Sequence, residues 1–261
     1  MRQAVNFLGA APQLDPADPI NAQIGACLPL ADGGGSIAID LARRVTANYA
    51  ANPAFAGGIA GPAVALNGST QYVATNLSST KAPGNSPSGS LSIWAMPYTA
   101  YNSGTDRVLF GQIKVGTSNW GASVYYDNNW YVGNYVSTRI QFAASAANWT
   151  QNKWQFYCFT WDATGAWFWR NGLSIGSSSA QSTSTTTLPA LGIGAFDWDT
   201  TGYQDPFSGR LALFRFHRRK LRDPEVQRLY SQPLAGIWRP RRYVFGGSPA
   251  AAIRPFIFAI R

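Results

Sequence analysis

Acid–base chemistry has little to work with here: the 261-residue chain holds one Glu and one His. Glycoside hydrolysis needs two carboxylates flanking the scissile bond, and no strand-like stretch carries paired acids. The single glutamate, Glu225, stands in "RDPEVQRLYSQP", where a helix start accounts for it. His217 stands in "FRFHRRK" with Arg218, Arg219 and Lys220 directly behind it. Such cations depress an imidazole pKa, and no carboxylate adjoins to orient the ring, so His217 reads as structural. No G-x-S-x-G, phosphate loop or G-x-G-x-x-G opens a helix. The expectation is a protein that is not an enzyme.

Binding chemistry has more candidates. "FDWDTTGYQD" places Asp197, Asp199 and Asp205 in one expected loop. Hard oxygen ligands on a loop suit calcium, and two-residue spacing puts Asp197 and Asp199 on one side of an extended segment. A hydrated turn is the competing reading, and calcium is the one metal or cofactor suggested. Exposed aromatic faces would bind sugar. "NWGASVYYDNNWYVGNY" offers Trp120, Tyr126 and Trp130 as glycan-binding candidates, although half the aromatics of a two-sided strand must face a core. "WRPRRYVF" mixes cations with aromatics, as nucleic-acid surfaces do, but carries no module signature; nucleic acid is not the expected partner.

The elements that must position these residues are strands. Glycine is abundant and charged residues are 13%, below the usual share of roughly 25%. Short alternating runs such as "SLSIWAMP", "RVLFGQI", "GASVYYD", "NWYVGNYV", "LGIGAF" and "RLALFRFH" are separated by turn residues. They predict an all-β fold, a two-sheet antiparallel jelly-roll sandwich. "VALNGSTQYV" reads as a hairpin about Asn67-Gly68. In "KWQFYCFTWDATGAWFWRNG", Trp154, Phe156, Cys158 and Thr160 share one face and Gln155, Tyr157, Phe159 and Trp161 the other. Aromatics on both faces predict a strand covered on both sides, with the next turn at Asn171-Gly172.

One short helix is expected, with Asp223 as N-cap and Pro224 at its first position. Residues 1–26, with Pro12, Pro16 and Pro19, read as an extended N-terminal arm, residues 27–232 as the domain, and residues 233–261 as a C-terminal docking tail. Cys27 and Cys158 are expected to be free, buried thiols. The opening residues lack the apolar stretch of a signal peptide, and no run is long enough to span a bilayer. The tail carries too many large apolar groups for a solvated segment; Trp238, Arg239, Arg241, Arg242, Phe256 and Phe258 are its expected anchors, since Trp and Arg dominate hot spots.

In order, "PLADGGG", "IDLA", "AVALNGSTQYV", "SLSIWAMP", the Lys153–Gly172 stretch, "LGIG" and "FSGRLALFRFHRRKLRDPEVQRLY" resemble the laminin-G-like, concanavalin A-like jelly rolls over about residues 28–232. The chain departs from that family where its closing strand carries acids, having Ala212 and Leu213 there, and where a His is usual, having Gln155 and Phe156. The Arg/Pro/aromatic ending is similar to endings of laminin-G-like proteins of tailed bacteriophages. The resemblance implies a virion component (capsid decoration, head fibre, neck or tail) assembled in the host cytoplasm, with other virion proteins and copies of itself as partners. The alternative it implies is a lectin-like module contacting host-surface glycans.

Overall fold

The computed structural model describes residues 12–78, 82–100, 107–114, 119–120, 123–127, 129–133, 140–143, 149–178, 188–198 and 202–238. The chain is mostly strand, folded into two large sheets, with one α-helix among these residues. The larger sheet runs Ile140–Ala143, Asn129–Gly133, Ser123–Asp127, Arg107–Lys114, Gly192–Ile193, Val73–Thr75, Ala47–Tyr49, Ile37–Ala38. The smaller runs Leu173–Ser178, Gly165–Arg170, Gln155–Asp162, Gly89–Pro97, Ser208–His217, Pro62–Asn67, Ala54–Gly57, with Ile24–Leu28 also paired to Ser208–His217. Every neighbour along both paths is antiparallel. This is the sandwich expected from the strand pattern.

The main core lies between the sheets, and a second apolar layer lies on the outer side of the smaller sheet. Gln155–Asp162 serves both. Tyr157, Phe159 and Trp161 enter the main core, while Phe156 and Cys158 pack in the outer layer with Trp94, Trp169 and the helix residues Val226 and Leu229. The two-faced aromatic pattern thus has its cause: helix α1 (Asp223–Ser231) roofs this part of the sheet. Asn171 and Gly172, both at positive φ, make the turn into Leu173–Ser178, the backbone that two-residue hairpin turns require.

Two local expectations change. Pro62–Asn67 pairs within the smaller sheet and Val73–Thr75 within the larger, so "VALNGSTQYV" is a crossover between sheets and not a hairpin. The Asn67 side-chain oxygen turns the corner, accepting from the backbone N–H groups of Ser69, Thr70 and Gln71 at 3.0, 3.0 and 3.2 Å. The N-cap of α1 is Arg222, not Asp223; the Glu225 carboxylate accepts from Arg222 N at 2.8 Å. That carboxylate also sits at the positive end of the helix dipole.

Cys27 and Cys158 are free and buried, as expected. Register places them on one row, Cys27–Arg215–Ser92–Cys158. Three strand spacings of about 4.8 Å separate them, beyond the roughly 7 Å that a disulfide spans. Burial pushes the Cys27 thiol up to about 11 and raises that of Cys158 further, so neither is a ready nucleophile.

Candidate functional site

The two ends of the described chain meet. Gln13–Leu14 pairs antiparallel with Ile237–Trp238, Gln13 opposite Trp238 and Leu14 opposite Ile237. The Asn21 side-chain amide donates to the carbonyls of Asp15 and Gly236 at 2.8 and 2.7 Å. Gly236, at φ +72°, packs so closely that a Cβ there would lie 2.4 Å from Ile20. From Gln13 onward the expected arm is therefore part of the domain, with Ile20 buried in the outer apolar layer. The expected docking tail starts later than residue 233, because Leu234–Trp238 folds back onto the same seam. Of the tail anchors, Trp238 is held by backbone pairing, while Arg239, Arg241, Arg242, Phe256 and Phe258 lie outside the described residues.

Charge straps the seam down. Asp18 receives a two-pronged contact from Arg228 of α1, at 2.7 and 2.5 Å, and accepts from Ile20 N at 3.0 Å. The Arg228 hydrogen bond holds the Asp18 carboxyl below its ordinary range. Arg219 donates to both Glu225 oxygens at 2.8 and 2.6 Å and to the carbonyls of Pro19 and Ala22. Lys220 pairs with Asp162 at 3.1 Å and lies 3.2 Å over the Trp167 ring. Arg219 and Lys220, two of the three cations that follow His217, are thus engaged within the fold. Replacing Asp18 with Ala should cost roughly 1 kcal/mol, the scale of a partly exposed pair plus a cap. Limited proteolysis should then cut residues 12–22 faster than in the parent chain.

The sugar and metal candidates lie on different hairpins of the larger sheet. Trp130 is fully buried, its ring 5.5, 4.9 and 5.1 Å from those of Trp149, Tyr157 and Phe168. It is core and cannot offer a face to a ligand. Trp120 belongs to a short strand paired with Arg107–Lys114, and Tyr126 is the register partner of Trp130. Phe196–Trp198 and Gly202–Gln204 form a hairpin with Asp197 opposite Tyr203, Asp205 follows its second strand, and Asp199 lies outside the described residues. Among the described residues, no three His, Cys, Asp or Glu side chains gather as a metal site.

The remaining departures from the family pattern are structural. Gln155 is buried, donates to Thr150 O at 2.9 Å, and accepts from Tyr157 Oη and Arg170 Nε at 3.0 and 2.8 Å. His217 is fully buried, and its pKa is pushed down to about 3 by desolvation, then by Arg215 and Arg219. Sequence reasoning assigned no role to Asp40. Its carboxylate, 7% exposed, accepts from the backbone N–H groups of Cys27, Ala42, Arg44 and Val45 at 2.7, 3.0, 2.8 and 2.9 Å. The signal was available: an aspartate opening "DLARR" can form an Asx turn to the residue two places on.

Two antiparallel sheets over a common core, one roofed by a terminal helix, define a jelly-roll sandwich of the lectin type. The family model Laminin_G_3, described as the concanavalin A-like lectin/glucanases superfamily, matches residues 67–227, and the chain belongs to that family. Among curated proteins none matches. Domain 4 of AbnA, a GH43 extracellular arabinanase from Geobacillus stearothermophilus solved in complex with arabinotriose, is similar at TM-score 0.57 and 16% identity, over 80% of this chain and 98% of that one. The binding domain of botulinum neurotoxin DC in complex with SialylT is similar at TM-score 0.59 and 16% identity, over 81% of this chain and 52% of that one. The receptor-binding domain of the botulinum neurotoxin C/D mosaic serotype gives 0.60 and 14%, over 81% and 51%. The chain thus spans about half the length of the neurotoxin domains. At these identities the likeness concerns the fold. No helix among the described residues is long and apolar enough to cross a membrane.

Proposed function

We propose that the protein is a non-enzymatic structural component of a bacteriophage virion, as a capsid decoration, head fibre, neck or tail part. It attaches through residues 1–11 and 239–261 to copies of itself and to other virion proteins. One observation supports this reading: the pairing of Gln13 with Trp238 sets the points at which the two terminal segments begin side by side. The pair forms a single root from which two segments can reach one partner, and the Arg, Pro and aromatic residues after Trp238 suit burial against another subunit. The chain's similarity to phage laminin-G-like endings supports the setting. A chain ended at Trp238 keeps the whole seam, so it should melt within a few degrees of the parent yet be missing from purified particles. Incorporation of that shortened chain at the parental level would overturn the proposal.

A second reading is favoured by the neighbours with bound sugars. The arabinanase domain was solved with arabinotriose and a neurotoxin domain with SialylT, so a carbohydrate-binding role on the same sandwich is the alternative. It is compatible with the first, because a protein fixed by its ends can present a sheet face to a host glycan.

A further inference from the structure

We propose that the groove beside the seam binds an acidic segment of a partner protein, one that carries an apolar side chain among its carboxylates. This rests on the attachment reading and adds to it the chemistry of the partner. An open groove of about 390 Å³ lies between residues 14–24 and residues 41–44. Leu14, Pro16, Pro19 and Leu41 wall it, and Arg44 lines it with them. Arg44 is exposed, and its guanidinium has no hydrogen bond or ion pair among the described residues. Arg43 next to it is exposed and equally unpaired. So is Arg218, whose backbone N–H donates to Gln23 O at 2.9 Å, between the lining residues Ala22 and Ile24. The nearby carboxylates already have partners. Asp18 is held by Arg228 and Ile20 N, Asp40 is turned onto four backbone N–H groups, and Asp15 accepts from Ala17 N at 2.9 Å. The guanidinium groups are the ones left without a partner.

Charge and shape select the partner. A guanidinium covered without a counter-charge is costly, whereas a carboxylate gives it a charge-assisted, two-pronged contact. The chain carries a net charge of +9, which steers an acidic surface toward it. The sequence adds Arg239, Arg241 and Arg242 directly after Trp238, and Trp238 pairs with the strand that holds Leu14 of the groove. The volume lies near the small end of the roughly 300–1,000 Å³ that ligand pockets span. It admits one or two aliphatic side chains of an extended segment, not a folded surface. A nucleic acid would satisfy the cations but not the groove. No aromatic ring among the described residues lines it for a base to stack on, and its apolar walls would face a sugar–phosphate chain.

Fluorescence anisotropy of the full chain with labelled decapeptides tests the groove. One peptide alternates Glu and Leu, one Glu and Ser, and one Gln and Leu; single-stranded oligothymidylate serves as a polyanion without side chains. The Glu/Leu peptide should bind at low salt with a Kd on the order of 100 μM or below, and the other two about tenfold more weakly. Arg44→Glu should weaken the Glu/Leu peptide about tenfold, and Arg44→Ala less. Lys153→Glu should leave binding unchanged. That exposed cation stands at the other end of the sandwich, since Gln155 pairs with Ala95 whereas His217 pairs with Ser90. The comparison of peptides needs no variant, so it holds even if an Arg44 variant fails to fold. Binding of no peptide would overturn the groove as a docking surface; a shortened chain missing from particles would then leave attachment by the terminal segments standing. A Glu/Ser peptide that binds as tightly as Glu/Leu would overturn the role of the apolar walls. Equal weakening by Arg44→Glu and Lys153→Glu would reduce the effect to net charge and overturn the site. Oligothymidylate binding tighter than the Glu/Leu peptide, and lost in Arg44→Glu, would give these cations to nucleic acid and overturn the acidic segment.

Discussion

Asp40→Ala is expected to lower the unfolding free energy by about 4 kcal/mol, which for a domain of marginal stability is a large share of the total. One carboxylate accepts from four backbone N–H groups, on Cys27, Ala42, Arg44 and Val45. Cys27 belongs to the Ile24–Leu28 strand of the smaller sheet. The other three lie in the segment that leads into Ala47–Tyr49 of the larger sheet. Asp40 thus ties the crossing between sheets, and Leu41 N donating to Cys27 O at 2.8 Å closes the same knot. A methyl group leaves four donors without an acceptor, of which that of Cys27 is buried and the other three partly buried; a buried donor without a partner costs about 1–3 kcal/mol, and one that water can reach costs less. Local movement that admits water recovers part of that sum. Asp40→Asn separates geometry from charge. Its remaining oxygen can serve one pair of donors, while its NH₂ confronts the other pair, so it should lose about half as much as Asp40→Ala. Urea denaturation of the three proteins checks the order; equal stability of Asp40→Ala and parent would refute the assigned role.

Strand content and the covered strand Gln155–Asp162 were legible because period-two alternation is a local property of the chain. What escaped depends on contacts between distant segments. The Ser208–His217 strand is the clearest case. Strict alternation from Leu211 would put Leu213, Arg215 and His217 in the main core. A β-bulge at Ala212–Leu213, with Leu213 at φ 54° and its N–H donating to Pro29 O, shifts the phase. Leu211, Phe214 and Phe216 then face the core, and Ala212 and Leu213 join the outer layer. A bulge of this kind inserts one residue and reverses every later side chain, and nothing in "RLALFRFH" alone announces it. The crossover misread as a hairpin has the same origin, since Asn67-Gly68 encodes a turn but not which sheet receives the next strand. Trp130 failed as a sugar platform because its burial depends on Trp149, Tyr157 and Phe168, all of them well removed along the chain.

That bulge also places His217 beneath the seam, and its consequence is a steep loss of stability on mild acidification. The imidazole is fully buried, and neither ring nitrogen makes a hydrogen bond of ordinary geometry. Desolvation first, then the Arg215 and Arg219 charges, lower its pKa to about 3, against smaller opposing effects from the Ile20 backbone and Glu225. In the unfolded chain a histidine titrates at about 6.5. Between these values the unfolded chain binds a proton that the native protein refuses. Stability is therefore greatest above pH 6.5 and falls by about 1.4 kcal/mol per pH unit below it. From pH 6.5 to 5 the loss is about 2 kcal/mol, and down to pH 3 it approaches 5 kcal/mol. The carboxylates of Asp18, Asp162 and Glu225 have lowered pKa values, so their contribution is lost only at more acid pH, below about 4.5. Asp32 acts in the opposite sense, since burial raises its pKa, and it is common to parent and variant. The difference between parent and His217→Met from pH 7.5 to 5 thus isolates His217. Urea midpoints should fall with acid in the parent and much less in the variant, whose thioether has no proton to gain. Parallel curves would mean that His217 is not held neutral. The acid response should also begin at the seam, because the ring can take up a proton only once Ile20 and α1 lift from it. Accelerated cleavage within residues 12–22 at pH 5, ahead of global unfolding, is the expected sign, and the root of both terminal segments would be the first part of the fold to open.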